Sequence, residues 1–440
     1  MPSFLPNFVR LAIVNILSNL MVPLAGLIDT AFLGHLDEIH HLAGVALATV
    51  IFNYVYWTFG FLRISTTGMT AQAVGRDDSN AVWLVALRHI LLGLGLGCLI
   101  MLLQVPLRSI GFTLLSATPE VKAAGQSYYN ALIWGAPATL IGFVLLGWFL
   151  GRAQGRKVLL LSFISSSSNV LLDYVFIVRW GWGSAGAGWA TAISQYLLLV
   201  VGLGLMVQEP CRPPLKTIAS QLYDPLALKA AFTLNREIMV RTLALVTTFS
   251  VFTNLSSLLG TTVLTANTVM LQVVTLAAYF IDGIAFATES FAGLFYGQRA
   301  THSLLHLMQV AGGASLALGL SVAGGFIVFP DRLFGLLTDH QSVLDRLHDY
   351  VLWLLPVLGF GALAYMLDGY FVGLTQGRVL RVASLYSSLL GFAPVAIVAW
   401  QLHSDHLLWL ALAVFMAART LTLGFRVPAT LDSDSISNPN

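Results

Sequence analysis

Twelve long apolar runs, separated by polar stretches too short to fold alone, occupy almost the whole chain. They fall near 7–33, 43–74, 80–106, 121–150, 157–179, 185–207, 226–258, 263–296, 303–329, 341–373, 379–402 and 406–426. A helix needs ~20 apolar residues to cross the hydrocarbon of a bilayer, and lipid offers the backbone no hydrogen bonds. Each run is therefore expected to close its own bonds as a transmembrane helix, tilted where it exceeds that length. Composition agrees, since 57% of residues are hydrophobic and 10% charged, against about 25% charged in a soluble protein. The first run lacks a short apolar core with a small-residue cleavage site, so it reads as the first span. Cys98 and Cys211, far apart, suggest neither a disulfide framework nor a metal cluster.

Orientation follows from lysine and arginine placement. With the N-terminus inside, twelve basic residues collect on the cytoplasmic side, among them Arg76, Arg152, Arg156, Arg212 and Lys216, and five on the other. Both termini are then cytoplasmic.

A shift of 222 residues lays Gly147-Trp148-Phe149-Leu150-Gly151 over Gly369-Tyr370-Phe371-Val372-Gly373, and Gln154-Gly155-Arg156 over Gln376-Gly377-Arg378. Seven of the twelve positions from Leu145 to Arg156 are identical in this register, which also superposes Tyr128 on Tyr350. Half the chain thus repeats the other half. Six spans per half give both halves one orientation, a parallel repeat with a cleft between two bundles, as alternating access requires. The expected architecture is an all-α polytopic membrane protein of twelve transmembrane helices in two pseudo-symmetric six-helix bundles. Its divisions are an N-lobe at 1–208, a cytoplasmic linker at 209–225, a C-lobe at 226–430 and a disordered tail at 431–440.

Six of the carboxylates inside these runs stand out: Asp29, Asp173, Glu237, Asp282, Glu289 and Asp368. A charge at a helix centre costs at least ~2.5–3.5 kcal/mol, so each is expected to face protein or a wet cavity. Glu237 follows Arg236 and precedes Arg241 by four residues, and an intrahelical ion pair accounts for it. Arg63 needs a partner from another helix. Asp173 shares a helix face with Asn169, four residues earlier and just after Ser165-Ser166-Ser167-Ser168, and lipid cannot neighbour that stripe. The alternative for such groups is interhelical hydrogen-bonding glue. By the 222-residue shift Asp29 falls on Val251 and Asp173 on Val395, while Asp368 falls on Leu146 and Glu289 on Thr67. The scaffold repeats and the acids do not, which favours binding over packing. Pro23, Pro137 and Pro356 sit within runs, where a missing hydrogen bond permits a kink. Pro23, six residues before Asp29, is the candidate conformational switch.

The stretch Leu27-Ile28-Asp29-Thr30-Ala31-Phe32-Leu33-Gly34-His35-Leu36, with Leu42-Ala43-Gly44-Val45-Ala46-Leu47 after it, resembles the first-helix signature of the multidrug and toxic compound extrusion (MATE) family. Ser65–Gly75, Leu146–Gly151, Asn169–Asp173 and Asn235–Arg241 resemble its DinF-like branch, and the similarity spans nearly the whole chain. The resemblance implies a V-shaped fold of two six-helix lobes and antiport of amphipathic, often cationic compounds against H⁺ or Na⁺. It further implies that Asp29 and Asp173 form a proton-linked centre with Asn169 beside them. By spacing, the family's cavity tyrosine and threonine fall near Tyr128 and on Thr191. Relatives that use Na⁺ rely on C-lobe carboxylates, which keeps Glu237, Asp282, Glu289 and Asp368 open, and Asp368 and Glu289 join Tyr128 and Thr191 as candidate cavity residues.

The expectation is thus a secondary efflux transporter, not an enzyme. It needs no cofactor or metal and no nucleic acid. Its partners are the bilayer and small-molecule substrates, and it is expected as a monomer in a bacterial cytoplasmic (inner) membrane. A lipid-linked sugar flippase of related plan would favour a cationic cavity, and the buried acids argue against it. A membrane enzyme would show a catalytic motif, and neither His-Glu-x-x-His nor a P-loop occurs. A channel is the remaining rival.

Overall fold

The computed structural model describes residues 4–36, 38–210, 220–338 and 340–431. Cys211, most of the linker and the tail beyond Leu431 lie outside the described residues, as do Arg212 and Lys216 of the charge count. Among the described residues, twelve helices are long and apolar enough to cross a membrane. They are span 1 (Leu5–Gly34), span 2 (His40–Gly75), span 3 (Ser79–Leu102), span 4 (Pro119–Gly151), span 5 (Gly155–Arg179) and span 6 (Gly183–Val207). Then come span 7 (Pro225–Leu258), span 8 (Thr261–Gly297), span 9 (Thr301–Val328), span 10 (Gln341–Gly373), span 11 (Gly377–Gln401) and span 12 (Asp405–Leu431). No strand occurs among the described residues. The expected third run overshoots: span 3 ends at Leu102, and a short helix, Gln104–Leu114, follows it.

The helices gather into two compact units, Leu17–Ala231 and Met1–Ile16 with Phe232–Asn440. The expected lobe boundary differs at the start of the chain. Phe4 lies 5.3 Å from Phe295 and Phe8 5.9 Å from Phe291, ring centre to ring centre. Gly283 of span 8 abuts Ile16 so closely that a Cβ there would lie 2.7 Å from the Ile16 nitrogen. The first turns of span 1 thus pack with the C-terminal helices.

The repeat is visible in the backbone. Six of the described residues with positive φ form three pairs 222 apart: Asp77 (55°) and Arg299 (56°), Ala153 (54°) and Thr375 (56°), Gly181 (67°) and His403 (49°). The first two pairs close helix ends. The amides of Asp78 and Gln154 donate to the carbonyls of Ala73 and Phe149, and those of Ala300 and Gln376 do the same with Phe295 and Phe371. A left-handed residue after the last turn satisfies carbonyls that would otherwise lack a donor.

The repeated glycines have a matching cause. A Cβ at Gly147 would lie 2.4 Å from the Arg63 carbonyl oxygen, and one at Gly151 2.5 Å from that of Thr67. In the second unit Gly369 meets the Ala285 carbonyl and Gly373 that of Glu289, each at 2.4 Å. Small residues four apart let two membrane helices bring their backbones together. Span 4 therefore seats on span 2, and span 10 on span 8.

Prolines act where the carbonyl four residues back loses its donor. Short 3₁₀ turns, Ile133–Gly135 and Val351–Trp353, contain those carbonyls for Pro137 and Pro356. Pro23, in contrast, lies inside an uninterrupted helix.

Candidate functional site

Span 5 carries a polar stripe, and its neighbours within the first unit answer it residue by residue. Ser18 of span 1 donates to Ser162 at 2.9 Å, and Ser166 donates to the Met21 carbonyl at 3.4 Å. Toward span 6, Gln195 donates to Ser165 at 3.4 Å, and Asn169 Nδ2 donates to Thr191 Oγ1 at 3.2 Å. Ser168 bonds back to the Ile164 carbonyl of its own helix. The stripe thus points at spans 1 and 6, away from lipid.

At its end stand the two aspartates. Asp173 is fully buried and Asp29 partly so, and their carboxyls lie within hydrogen-bonding reach of one another. Asp29 Oδ1 and both oxygens of Asp173 are buried with no donor among the described residues. Ionised carboxylates only accept, so two that face each other bond only when one carries a proton. Immediately after Asp173 the helix widens into a π turn, Tyr174–Arg179, a distortion frequent at functional sites. The Tyr128 hydroxyl of span 4 reaches Thr191 and, from span 2, Thr49, and both aspartates act on it electrostatically. Gly188 makes this possible: a Cβ there would lie 2.6 Å from the Tyr128 carbonyl oxygen, so span 6 comes close enough to present Thr191 one turn later.

The structure therefore brings Asp29, Asp173, Asn169, Tyr128 and Thr191 together from spans 1, 4, 5 and 6. The span 5 partner of Asp29 is Asp173, and Asn169 is turned toward Thr191. Thr49 was not foreseen, since nothing in Ala48-Thr49-Val50 distinguishes it from a helix-bonded threonine.

The second unit is different at the corresponding place. Val251, counterpart of Asp29, lines an apolar cavity of about 540 Å³ between spans 7 and 11, with Leu243, Leu255, Leu389, Phe392 and Trp400. The acids of this unit lie elsewhere, and two of them, Asp368 and Glu237, are held by arginines. Asp368 receives both Arg241 and Arg419, the latter with 1% of its side chain exposed, and Arg241 also acts on Asp282. Glu237 pairs with Arg236 at 2.9 Å and Arg381 at 2.8 Å. The expected intrahelical ion pair of Glu237 forms with Arg236, while Arg241 pairs with Asp368 beside a second guanidinium. Glu289 is buried in span 8. Asp368 and Glu289, expected to share a cavity with Tyr128 and Thr191, belong to the other compact unit.

Twelve spans in two repeated halves, with a cluster of acids and hydroxyls inside one of them, define a polytopic membrane transporter. The MatE family profile matches residues 15–175 and again 238–397, one repeat apart, and the chain belongs to that family. It is 34% identical over 419 residues to DNA damage-inducible protein F of Escherichia coli (strain K12), covering 94% of this chain and 90% of that one. Two solved structures share the fold at 20% identity. One, described as MATE in the bent conformation, gives a TM-score of 0.86 and covers 98% of this chain and 97% of its own. The other, MATE in the straight conformation, gives 0.84 and covers 96% of each.

Proposed function

We propose that this chain exports amphipathic, cationic small molecules in exchange for protons, and that Asp29 and Asp173 carry the coupling proton as a unit. The observation that supports this is the facing pair of carboxyls with three buried oxygens and no donor. Two bare carboxylates at hydrogen-bond distance repel by several kcal/mol. A shared proton removes the repulsion and supplies the missing donor, so protonation and local geometry are coupled. Asn169, Thr191 and Tyr128 hold the pair's surroundings polar. A relative from Acinetobacter baylyi, 25% identical over 326 residues, is described as a probable multidrug resistance protein, which agrees with an efflux role. The proposed setting is a bacterial cytoplasmic membrane with both termini inside.

Sodium coupling is the weaker reading. A desolvated Na⁺ needs several hard oxygen ligands, and Asp368 already holds two guanidinium groups, whose positive charge opposes a further cation.

Pro23 supplies the proposed link from proton to substrate. It has no N–H for the carbonyl four residues back, so bending span 1 there sacrifices no bond. A proton bound more tightly by one shape of span 1 shifts the balance by that difference alone. Solved structures of this fold are described as MATE in the straight and in the bent conformation, and the proposal requires two shapes of span 1 here.

The test is efflux of a cationic dye from proteoliposomes in Na⁺-free buffer under an imposed pH gradient. Wild type is expected to export, Asp29→Asn to fail while inserting normally, and Pro23→Ala to bind dye yet export slowly. Export by Asp29→Asn at the wild-type rate, or export by wild type only after Na⁺ is added, defeats the proton assignment.

A further inference from the structure

The corner between spans 1 and 2 holds a group of side chains that the transport reading leaves unused. Glu38 precedes span 2, and His40 and His41 open it. His40 Nε2 lies 3.3 Å, and His41 Nε2 3.5 Å, from the same Glu38 carboxylate oxygen, with ring centres 4.4 Å apart. Span 6 is shaped to receive this group. Gly183 takes a left-handed φ of 53°, and the His41 ring fills the space beside it, since a Cβ at Gly183 would lie 2.5 Å from His41 Cε1. On its far side, His41 Nδ1 accepts the Ser184 amide N–H at 3.3 Å and lies equally far from the Ser184 hydroxyl.

The separations point beyond a simple ion pair. A charge-assisted N–H···O bond runs ~2.7–2.9 Å, shorter than either contact. Ligand atoms on a tetrahedral zinc, with bonds of ~2.0–2.2 Å, stand roughly 3.4 Å apart. The three ligand atoms all lie within 4.8 Å of one another. When a cation binds Nε2 the ring proton sits on Nδ1, which then donates to Ser184 Oγ in place of accepting the Ser184 amide. We propose that Glu38, His40 and His41 bind a divalent transition cation such as Zn²⁺. The ligands are Nε2 of both rings and one carboxylate oxygen, and water completes the shell. Imidazole with one carboxylate suits this class better than Mg²⁺ or Ca²⁺, which take oxygen ligands. With Glu38 half outside the fold, the cation enters from solvent. Once bound, it ties the segment after span 1 to the first turn of span 2 and, through Ser184, to span 6. The end of the helix that carries Asp29 is thereby restrained, a consequence that rests on the proton-coupled reading, whereas binding does not.

Purified full-length protein, stripped with a chelator, is titrated with Zn²⁺ by calorimetry and with Co²⁺ by visible absorption. One cation per chain and a four-coordinate Co²⁺ spectrum are expected. Both should vanish in Glu38→Gln, a change at an exposed side chain that leaves folding intact, and in the double variant His40→Ala/His41→Ala. Ser184→Ala should weaken binding roughly 10-fold, and His403→Ala should bind as wild type does. No saturable binding, or an unchanged isotherm in the double variant, overturns the site. In proteoliposomes, Zn²⁺ should slow wild-type efflux several-fold and leave the double variant at its own Zn²⁺-free rate; wild-type efflux indifferent to bound Zn²⁺ overturns the restraint. Asp29→Asn should bind Zn²⁺ normally, so failure of the transport reading and failure of the metal site register in different measurements.

Discussion

Glu209 lies two residues past span 6, buried against Arg152 at 2.8 Å and against Lys157. Burial raises its carboxyl's pKa, but the hydrogen bond from Lys157 and the charges of Arg152 and Lys157 outweigh it and hold the group below the usual 4.5. A carboxyl depressed on folding stabilises the native state above its unfolded pKa, and that contribution fades as pH falls through the folded value. Glu209→Gln should therefore lower the melting temperature of the solubilised protein near neutrality and flatten its decline below pH ~4.5. Identical acid limbs for the two proteins would remove Glu209 from the account. Such pairings were beyond the sequence. Arg152 and Lys157 are 57 and 52 positions away, and Arg419, the buried partner of Asp368, has no acid nearby in the chain to advertise it. The aspartates themselves were legible, because an acid in an apolar run is costly wherever it points. That Asp29 meets Asp173, and that Tyr128 and Thr191 join them, rested on resemblance, since spacing alone cannot orient four helices. Glu38, His40 and His41 escaped notice because their spacing matches no metal motif and the site needs Gly183 and Ser184 from span 6 to take shape.

Among the elements, the glycine-rich ends of spans 4 and 10 show why the repeat could be read at all. Where two backbones touch, no other side chain fits, so the residue type is dictated and survives in both halves. Gly147→Ala would force a methyl against the Arg63 carbonyl, which moves only if span 2 moves, and should cost about 1–3 kcal/mol. Gly95→Ala in span 3 meets nothing within 4 Å and, by helix propensity, should stabilise by up to about 1 kcal/mol. Thermal unfolding of the two variants in one detergent compares them directly; equal effects would mean that the contact is loose. The left-handed pairs teach the reverse lesson. Asp77 with Arg299 and Ala153 with Thr375 share a backbone shape and no side-chain chemistry, so the sequence gives no sign of them. The span count and most boundaries followed from hydropathy, whereas the π turns and the 3₁₀ turns depend on packing between helices.

Across the whole molecule, duplication has produced a common frame with different interiors. One unit holds acids and hydroxyls between spans 1 and 5, and the other holds an apolar cavity between spans 7 and 11. The frame also fails to divide at its midpoint. Residues 4–16 are joined covalently to the first half, yet Phe4, Phe8 and Ile16 are packed among helices of the second. This is a segment swap within a single chain. Interrupting the chain between residues 211 and 219 and producing both pieces together should still yield a recoverable pair, because the amino-terminal arm carries a docking piece for its partner. Deleting residues 1–16 from the first piece should sharply reduce co-purification, and undiminished recovery would show that the arm adds nothing. An ancestor made of two identical chains would have exchanged such arms reciprocally. Here the exchange runs both ways, since the first turns of span 7, residues 225–231, group with the first unit, so each half is completed by a helix end that the other encodes.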